Sequence, residues 1–206
     1  MTLLLVGLLL FLGPHSIRIF AEGARGALIE RFGLLGYKAG YALLSLIGLV
    51  LIVKGYGAAR EYPQALWPAW TAGRHIAALL SLAAFILVVA AYVPGNRLKK
   101  RLRHPMVLGV KLWAAGHLLA NHTLADFVLF GSLLVWAILD FRQARRRDRL
   151  EDAEVAAASA GVAQTAPASS NGSLRADVLT LAIGLAAFWA FAFHLHASLI
   201  GVRPFG

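Results

Sequence analysis

The sequence contains no cysteine among its 206 residues. Disulfides, iron–sulfur clusters, thiolate-ligated haem and a cysteine nucleophile are therefore excluded. The Cys-x-x-Cys-His motif that attaches haem covalently is excluded for the same reason. Any haem in this protein would have to be held without covalent attachment and without a thiolate ligand.

Charge is also scarce, since only 15% of the residues are charged and 59% are hydrophobic. Several apolar runs reach about 20 residues, the length that a helix needs to cross roughly 30 Å of hydrocarbon. Lipid offers no hydrogen bonds to the backbone, so such segments must be helical. The alternating ten-residue pattern of an outer-membrane barrel is missing. We predict an all-α polytopic membrane helical bundle that has the lipid bilayer as its first partner.

Six transmembrane helices are predicted from the positions of the apolar runs. The first begins apolar and has no small-residue cleavage site after it, so we expect a retained helix and not a signal peptide. An Ala/Ser/Gly-rich segment before the last run has too few bulky apolar residues to pack. We therefore divide the chain into a five-span membrane domain, a basic and then disordered cytoplasmic loop, and a sixth helix that completes the bundle, at 1–142, 143–175 and 176–206. The predicted spans are 1–20, 34–56, 71–93, 105–121, 124–141 and 176–201.

The basic residues are distributed very unevenly between the connections. Connections 16–38, 94–105 and 142–175 carry fifteen Lys and Arg residues, and the other side carries four. Cytoplasmic loops hold the excess of Lys and Arg, which predicts both termini outside the cytoplasm of a bacterial inner membrane. The net charge of +10 is thereby explained by topology, and we expect no nucleic-acid partner.

Residues 104–140 form a predicted helical hairpin that contains ionisable side chains within its apolar arms. Each such group opposes insertion by roughly 2.5–3.5 kcal/mol at the centre of a bilayer. These side chains are therefore expected to face protein, water or a cofactor and not lipid. The hairpin is our candidate functional site, and its ionisable residues are Lys111, His117, His122, Asp126 and Asp140.

Two histidines are predicted to lie within the hydrocarbon. His117 lies about 18 Å along its helix from Pro105, and His15 lies about 10–12 Å from the cytoplasmic side. A charged imidazole is costly there, so both are expected to be neutral, and neutral imidazole is a good iron ligand. Trp113 shares a helix face with His117 because it lies four residues earlier. Trp113 either lies against the face of a flat aromatic cofactor or contributes only to helix packing.

The remaining histidines are predicted nearer the membrane boundaries. His104 falls at the cytoplasmic boundary, and the outer boundary is the predicted place of His75, His122, His194 and His196. For these residues, and for Asp126 and Asp140, hydrogen bonding and helix anchoring are favoured over chemistry.

Two stretches of this chain resemble a known family. They are Gly13–Ser16 (GPHS) and the hairpin HPMVLGVKLWAAGHLLANHTLADFVLFGSLLVWAILD, followed by RQARRRDRL. They resemble the NnrU family, which is related to the plant 15-cis-zeta-carotene isomerases. The resemblance implies a polytopic membrane protein, and bacterial members are associated by name with nitrite and nitric oxide metabolism. The isomerase relatives imply a non-covalent haem b between two histidines. The matching ligand positions are His15 and His117, with His104 a further matching histidine that joins Trp113 as a candidate cofactor-binding residue.

Three functions follow from these observations. The first is an NnrU-type membrane protein that binds haem b and acts with a redox partner in nitrogen-oxide or respiratory metabolism. The second is a haem-dependent cis–trans isomerase that acts on a hydrophobic polyene, a carotenoid of the 15-cis-zeta-carotene type. The third is a transporter or proton pathway through Lys111, Asp126 and Asp140, since intramembrane ionisable groups indicate such paths. No inverted repeat is visible, which weakens the third.

Overall fold

The computed structural model describes residues 1–159 and 172–205 of the chain. Within these residues the protein is all-α, and the only β-type pairing is an isolated antiparallel bridge between Ala65 and Thr123. A π-helical segment, Phe191–Leu195, joins the last two helices. The helices are α1 Thr2–Phe20, α2 Glu22–Glu61, α3 Thr71–Tyr92, α4 Arg97–Leu102, α5 Pro105–Ala120, α6 Leu124–Ser159, α7 Leu174–Ala190 and α8 His196–Ile200.

Helices α1 and α2 pack closely because glycines remove the side chains between them. A Cβ atom added to Gly55 would lie 2.3 Å from the backbone nitrogen of Leu4, and one added to Gly48 would lie 2.6 Å from that of Phe11. Small residues of this kind let membrane helices approach until their backbones touch. Gly48 and Gly55 therefore serve the close packing of α2 against α1.

Helices α3, α5 and α7 are packed in the same way. A Cβ atom on Gly73 would lie 2.2 Å from the carbonyl oxygen of Leu119. The start of α3 and the end of α5 are therefore in close backbone contact. On α7, a Cβ atom at Gly184 would lie 2.8 Å from the Cα atom of Ile86 on α3. Helix α6 contacts both α1 and α5 and so joins the two groups of helices.

The two ends of the bundle differ in charge. The end that holds the Lys- and Arg-rich connections around Arg18, Arg97 and Arg147 is called the basic end. Here Arg147 Nη1 donates to the carbonyl oxygen of Arg18 over 3.4 Å. The backbone N–H of Arg97 donates to Asp177 Oδ1 over 2.7 Å at this same end. At the opposite end the Leu66 N–H donates to the His122 carbonyl oxygen over 2.8 Å. Chain directions therefore alternate between the two ends, as in a polytopic membrane protein.

The prediction of six membrane-spanning helices is wrong by one. Five helical segments of the described residues are long and apolar enough to cross a membrane, the fifth being the continuous stretch Leu174–Ile200 formed by α7, the π-helical segment and α8. The apolar α5 falls short. Helix α5 has 16 residues and is about 24 Å long, less than the roughly 30 Å of a hydrocarbon core. Its ends are set by Pro105 at the first position and by Asn121, whose Nδ2 donates to the His117 carbonyl oxygen over 2.8 Å.

Two helices extend beyond the predicted boundaries. Helix α2 begins at Glu22, ahead of the predicted span, and kinks at Gly33, whose φ of 71° suits a residue without a side chain. Helix α6 continues past Phe141 for a total of 36 residues, where a basic loop was expected. Residues 160–171 of the predicted loop lie outside the described residues, and α7 begins at Leu174, within the last part of that loop.

The apolar windows of the five long helices are only 17–28% buried within the protein. Large exposed side chains such as Leu35, Leu79 and Leu9 face outward. Apolar surface of this extent is not left in water by soluble proteins. The bundle therefore belongs in lipid.

Candidate functional site

His15 lies where α1, α2 and α6 meet. Its Nδ1 donates a hydrogen bond to the carbonyl oxygen of Phe11 over 2.6 Å. Because a carbonyl oxygen only accepts, this bond places a proton on Nδ1, and in the neutral imidazole the lone pair then lies on Nε2. The imidazole stacks on Phe11 with ring centres 4.4 Å apart, and the rings of Tyr41 and Trp136 lie 4.9 and 5.8 Å away.

His117 on α5 is held in the same way. Its Nδ1 donates to the carbonyl oxygen of Trp113 over 2.9 Å, again four residues earlier. The ring centre lies 4.8 Å from that of Trp113 and 4.6 Å from that of Phe130. Neither His15 nor His117 has a hydrogen-bond partner for Nε2 within the described part of the chain.

The two histidines border one apolar cluster from different levels. The ring neighbours Phe11 and Trp113 both pack against this cluster, whose buried members include Leu4, Leu8, Ile52, Leu129 and Phe130. His15 contacts α6 at Trp136 and His117 contacts it at Phe130. Six residues of helix separate these levels by about 9 Å. The separation agrees with the several ångströms in depth expected from the sequence.

A buried carboxylate lies one helical turn from Phe130. Asp126 is 5% exposed, and its Oδ1 accepts a hydrogen bond from the Tyr56 hydroxyl over 2.5 Å. Its Oδ2 accepts from the N–H and the hydroxyl of Thr123 over 2.9 and 2.6 Å. Asp126 thus anchors the start of α6, which is the hydrogen-bonding role favoured from the sequence.

Trp113 packs edge-on against Phe130, with ring centres 5.3 Å apart. This contact is compatible with either role expected from the sequence. It satisfies packing, and it also places a flat ring beside the imidazole of His117.

His104 lies at the basic end, about 20 Å along α5 from His117. Its Nε2 is 3.0 Å from both carboxylate oxygens of Asp148. The neighbouring Arg103 bonds Asp152 over 2.8 Å, and this hydrogen bond and charge raise the pKa of the guanidinium above its ordinary value. The structure therefore places His104 in an ion-pair network and not beside the other two candidate histidines.

The histidines near the C-terminus also have local partners. His194 lies in the π-helical segment with its ring 4.7 Å from that of Trp189. His196 Nδ1 donates to the Val202 carbonyl oxygen over 2.6 Å. No cluster of three or more His, Asp or Glu side chains suited to a metal ion occurs among residues 1–159 and 172–205.

The ionisable groups of the proposed transport path do not meet. Lys111 Nζ lies 4.4 Å from the ring centre of Phe141, toward the basic end. Asp126 lies at the start of α6, near the opposite end. No contact joins Lys111, Asp126 and Asp140 in the part of the chain that the structure describes.

A groove of about 760 Å³ lies between α1 and α6 and reaches α5 at Leu118. Its walls run from Leu5 to Phe20 along α1, which corresponds to about 22 Å. Trp136, the α6 neighbour of His15, lines the same groove. The volume falls within the range of small-molecule and cofactor sites, roughly 300–1,000 Å³.

Sequence reasoning missed the aromatic neighbours of the two histidines. Tyr41, Phe130 and Trp136 are aromatic residues within apolar runs, and their spacing does not distinguish them from residues that serve only helix packing. Tyr56 lies at the end of a predicted span, where a tyrosine is expected at the headgroup level. Its pairing with Asp126, 70 residues away, becomes visible only after the helices are packed.

Comparison with known proteins assigns the chain to a family. No curated protein and no solved structure matches it. The family described as NnrU protein matches residues 3–204, nearly the whole chain. The match covers both candidate histidines, the hairpin and the last span. The protein belongs to the NnrU family.

Proposed function

We propose that this NnrU-family protein binds one haem b through His15 and His117 and acts in nitrogen-oxide or respiratory redox metabolism. One observation carries the proposal. Each imidazole donates its Nδ1 proton to the backbone carbonyl four residues earlier and keeps Nε2 without a partner in the described residues. Metal-binding histidines are oriented by such a bond from the other ring nitrogen.

The residues present fit haem b by their chemistry. Two neutral nitrogen donors come from different helices and border one apolar cluster. Aromatic rings flank both of them, namely Phe11 at His15 and Trp113 and Phe130 at His117. The apolar surroundings disfavour net charge, and low exposure to water is one of the factors that determine a haem potential.

Haem b, when bound, supplies a one-electron redox couple. The residues of this chain orient the two rings through their Nδ1 hydrogen bonds. They also place the Asp126 carboxylate one helical turn from Phe130, whose ring contacts His117. Together, these features support a redox or ligand-binding role within the membrane. The family name points to nitrogen oxides as the metabolic context.

The visible spectrum tests the proposal. Protein purified from haem-replete cells is expected to show a Soret band, and a pyridine haemochrome assay is expected to give about one haem b per chain. His15→Ala and His117→Ala are each expected to lose most of the band. His75→Ala and His194→Ala are matched controls that should retain it. A colourless wild-type protein, or a His117→Ala variant with an unchanged band, would contradict haem ligation by this pair.

We also propose that the basic end faces the cytoplasm of a bacterial inner membrane, with both termini on the other side. Although α5 is short, it runs from the basic end at Pro105 to the opposite end at Asn121, so the chain passes between the two ends an even number of times. The support is the excess of Lys and Arg in the connections at this end. Alkaline phosphatase fused after residue 206 should be active, and green fluorescent protein fused there should be dark. The reverse result would invert the orientation.

A second candidate function is haem-dependent isomerisation of a carotenoid. The observation that favours it is the long apolar groove beside His15, about 22 Å from Leu5 to Phe20, which suits a linear polyene. Expression in cells that accumulate 15-cis-zeta-carotene is expected to change the isomer ratio measured by chromatography. An unchanged ratio with haem-loaded protein would remove this candidate and leave the first intact.

A further inference from the structure

One face of α6 continues from the lipid-exposed surface into the basic end. The helix is unbroken from Leu124 to Ser159. Val135 and Leu139 line the groove between α1 and α6, and Val135 is 58% exposed. Arg142 and Arg146 follow Leu139 by three and seven residues, so they lie on the same face of the helix. A face that meets acyl chains inside the membrane therefore carries two arginines where it leaves the membrane.

The first of these arginines is level with the basic end of the groove. Helices α1 and α6 both run toward the basic end, and the rings of His15 and Trp136 contact each other with centres 5.8 Å apart. Phe20, the last groove residue of α1, lies five residues beyond His15, which is about 7.5 Å. The same rise from Trp136 along α6 reaches the residue before Arg142. Arg142 therefore lies close to the mouth of the groove, and Arg146 lies about 6 Å farther out.

Both arginines are exposed and have no acidic partner in the described part of the chain. The acidic residues nearest to them are paired elsewhere or point elsewhere. Asp148 is 3.0 Å from His104, and Asp140 lies about 200° around the helix from the first arginine. Glu22, which follows the end of α1, pairs with Arg25 over 2.9 Å. Two guanidinium groups without a counter-charge thus remain at the mouth of the groove.

The position of these groups indicates which molecule approaches them. A lipid-facing helix surface that continues beyond its last apolar residue enters the headgroup layer, where the lipid phosphates lie. Guanidinium groups bind phosphate through paired N–H donors. A zwitterionic head brings its own cation, whereas an anionic head leaves its charge for the protein to compensate. No charged side chain lines the groove within the described residues, so its walls suit an acyl chain.

We propose that the α1–α6 groove and the arginine pair Arg142 and Arg146 form a binding site for an anionic phospholipid. The phosphate lies between the two guanidinium groups, and one acyl chain lies along the groove. The inference does not involve the haem, and it rests on the proposed orientation only for its assignment to the cytoplasmic leaflet. The same groove favours the carotenoid candidate, and a polyene there would take the place of the acyl chain.

Native mass spectrometry of the full-length protein tests the site. Protein in detergent micelles is titrated separately with phosphatidylglycerol and with phosphatidylcholine of the same acyl composition, and the bound lipids are counted by mass. The wild type is expected to bind one phosphatidylglycerol in preference to phosphatidylcholine. Arg142→Gln/Arg146→Gln is expected to weaken phosphatidylglycerol binding about tenfold and to abolish the preference.

Arg101→Gln/Arg175→Gln is the matched control. These arginines are also exposed at the basic end, but they lie on α4 and α7, and α4 packs against α3, α5 and α7. The control is expected to keep the wild-type preference. Equal affinity of the wild type for the two lipids would overturn the proposal. The same loss in both double variants would also overturn it, because net charge and not this site would then attract the lipid.

The place of the acyl chain is tested at Gly131. This residue lines the groove, and an added Cβ atom there meets nothing within 4 Å. Gly131→Phe therefore places a ring in the groove without a backbone clash, and it is expected to weaken phosphatidylglycerol binding severalfold. Unchanged affinity would overturn the proposed groove site.

Failure of the proposed function is distinguishable from failure of the lipid site. A reversed result in the fusion assay would move the site to the outer leaflet and leave the measured affinities unchanged. A protein without a Soret band would likewise keep its preference for phosphatidylglycerol.

Discussion

The hydroxyl of Tyr56 on α2 donates to the carboxylate of Asp126 on α6 over 2.5 Å, across 70 residues of sequence. Thr123 supplies two further donors to the same carboxylate. Buried charges are tolerated when their acceptor sites are satisfied. The pair therefore ties α2 to the start of α6, beside the aromatic residues that surround His117.

Removing the Tyr56 hydroxyl should destabilise the bundle. Tyr56→Phe leaves the buried carboxylate with one donor fewer, which costs about 1–3 kcal/mol. The expected result is a lower melting temperature of the detergent-solubilised protein. Tyr62→Phe is the control, since Tyr62 is 83% exposed. Equal melting temperatures for the two variants would show that the Tyr56–Asp126 bond contributes nothing to stability.

The α1–α2 contact should not tolerate a methyl group. In Gly55→Ala the new Cβ would lie 2.3 Å from the Leu4 backbone nitrogen, and the helices would have to separate. Overpacking of this kind costs about 1–3 kcal/mol or more. Gly57→Ala, two residues away, meets nothing within 4 Å and should be neutral. Thermal denaturation followed by size-exclusion chromatography measures both, and an intact Gly55→Ala protein of wild-type stability would contradict this close contact.

Phe130 is expected to be a principal core residue. It is 5% exposed and contacts the rings of Tyr56, Trp113 and His117. Phe130→Ala should lower the free energy of unfolding by about 3–5 kcal/mol, because it removes buried surface and leaves a cavity. Phe127→Ala truncates a ring that is 51% exposed and should cost far less. Similar losses in the two variants would contradict the assigned core.

The charge of Asp126 should affect the potential of a haem held by His117. Asp126 lies one turn before Phe130, whose ring centre is 4.6 Å from that of His117. A nearby negative charge stabilises the oxidised, more positive iron, so Asp126→Asn should make the reduction potential more positive. Spectroelectrochemical titration measures it. Asp152→Asn, at the basic end, is the control and should leave the potential unchanged.

Much of the fold was predictable because the signals are local. An apolar run long enough to cross a bilayer must be helical wherever it packs, which is why the all-α membrane class could be predicted. The extension of α6 past Phe141 was missed because its charged residues were used to locate the end of a span. A helix can leave the membrane and continue, and residues such as Arg, Ala, Glu and Leu in 142–159 favour helix.

The sequence alone determined that this protein is a helical membrane bundle with one basic end, and it singled out His15 and His117 as imidazoles within apolar segments. Each of these conclusions follows from residues close together in the chain. Only the tertiary structure decided that Trp136 lies against His15 and Phe130 against His117, and that Tyr56 pairs with Asp126. These contacts depend on how helix faces meet, which glycine positions such as Gly55 control through the distance between backbones.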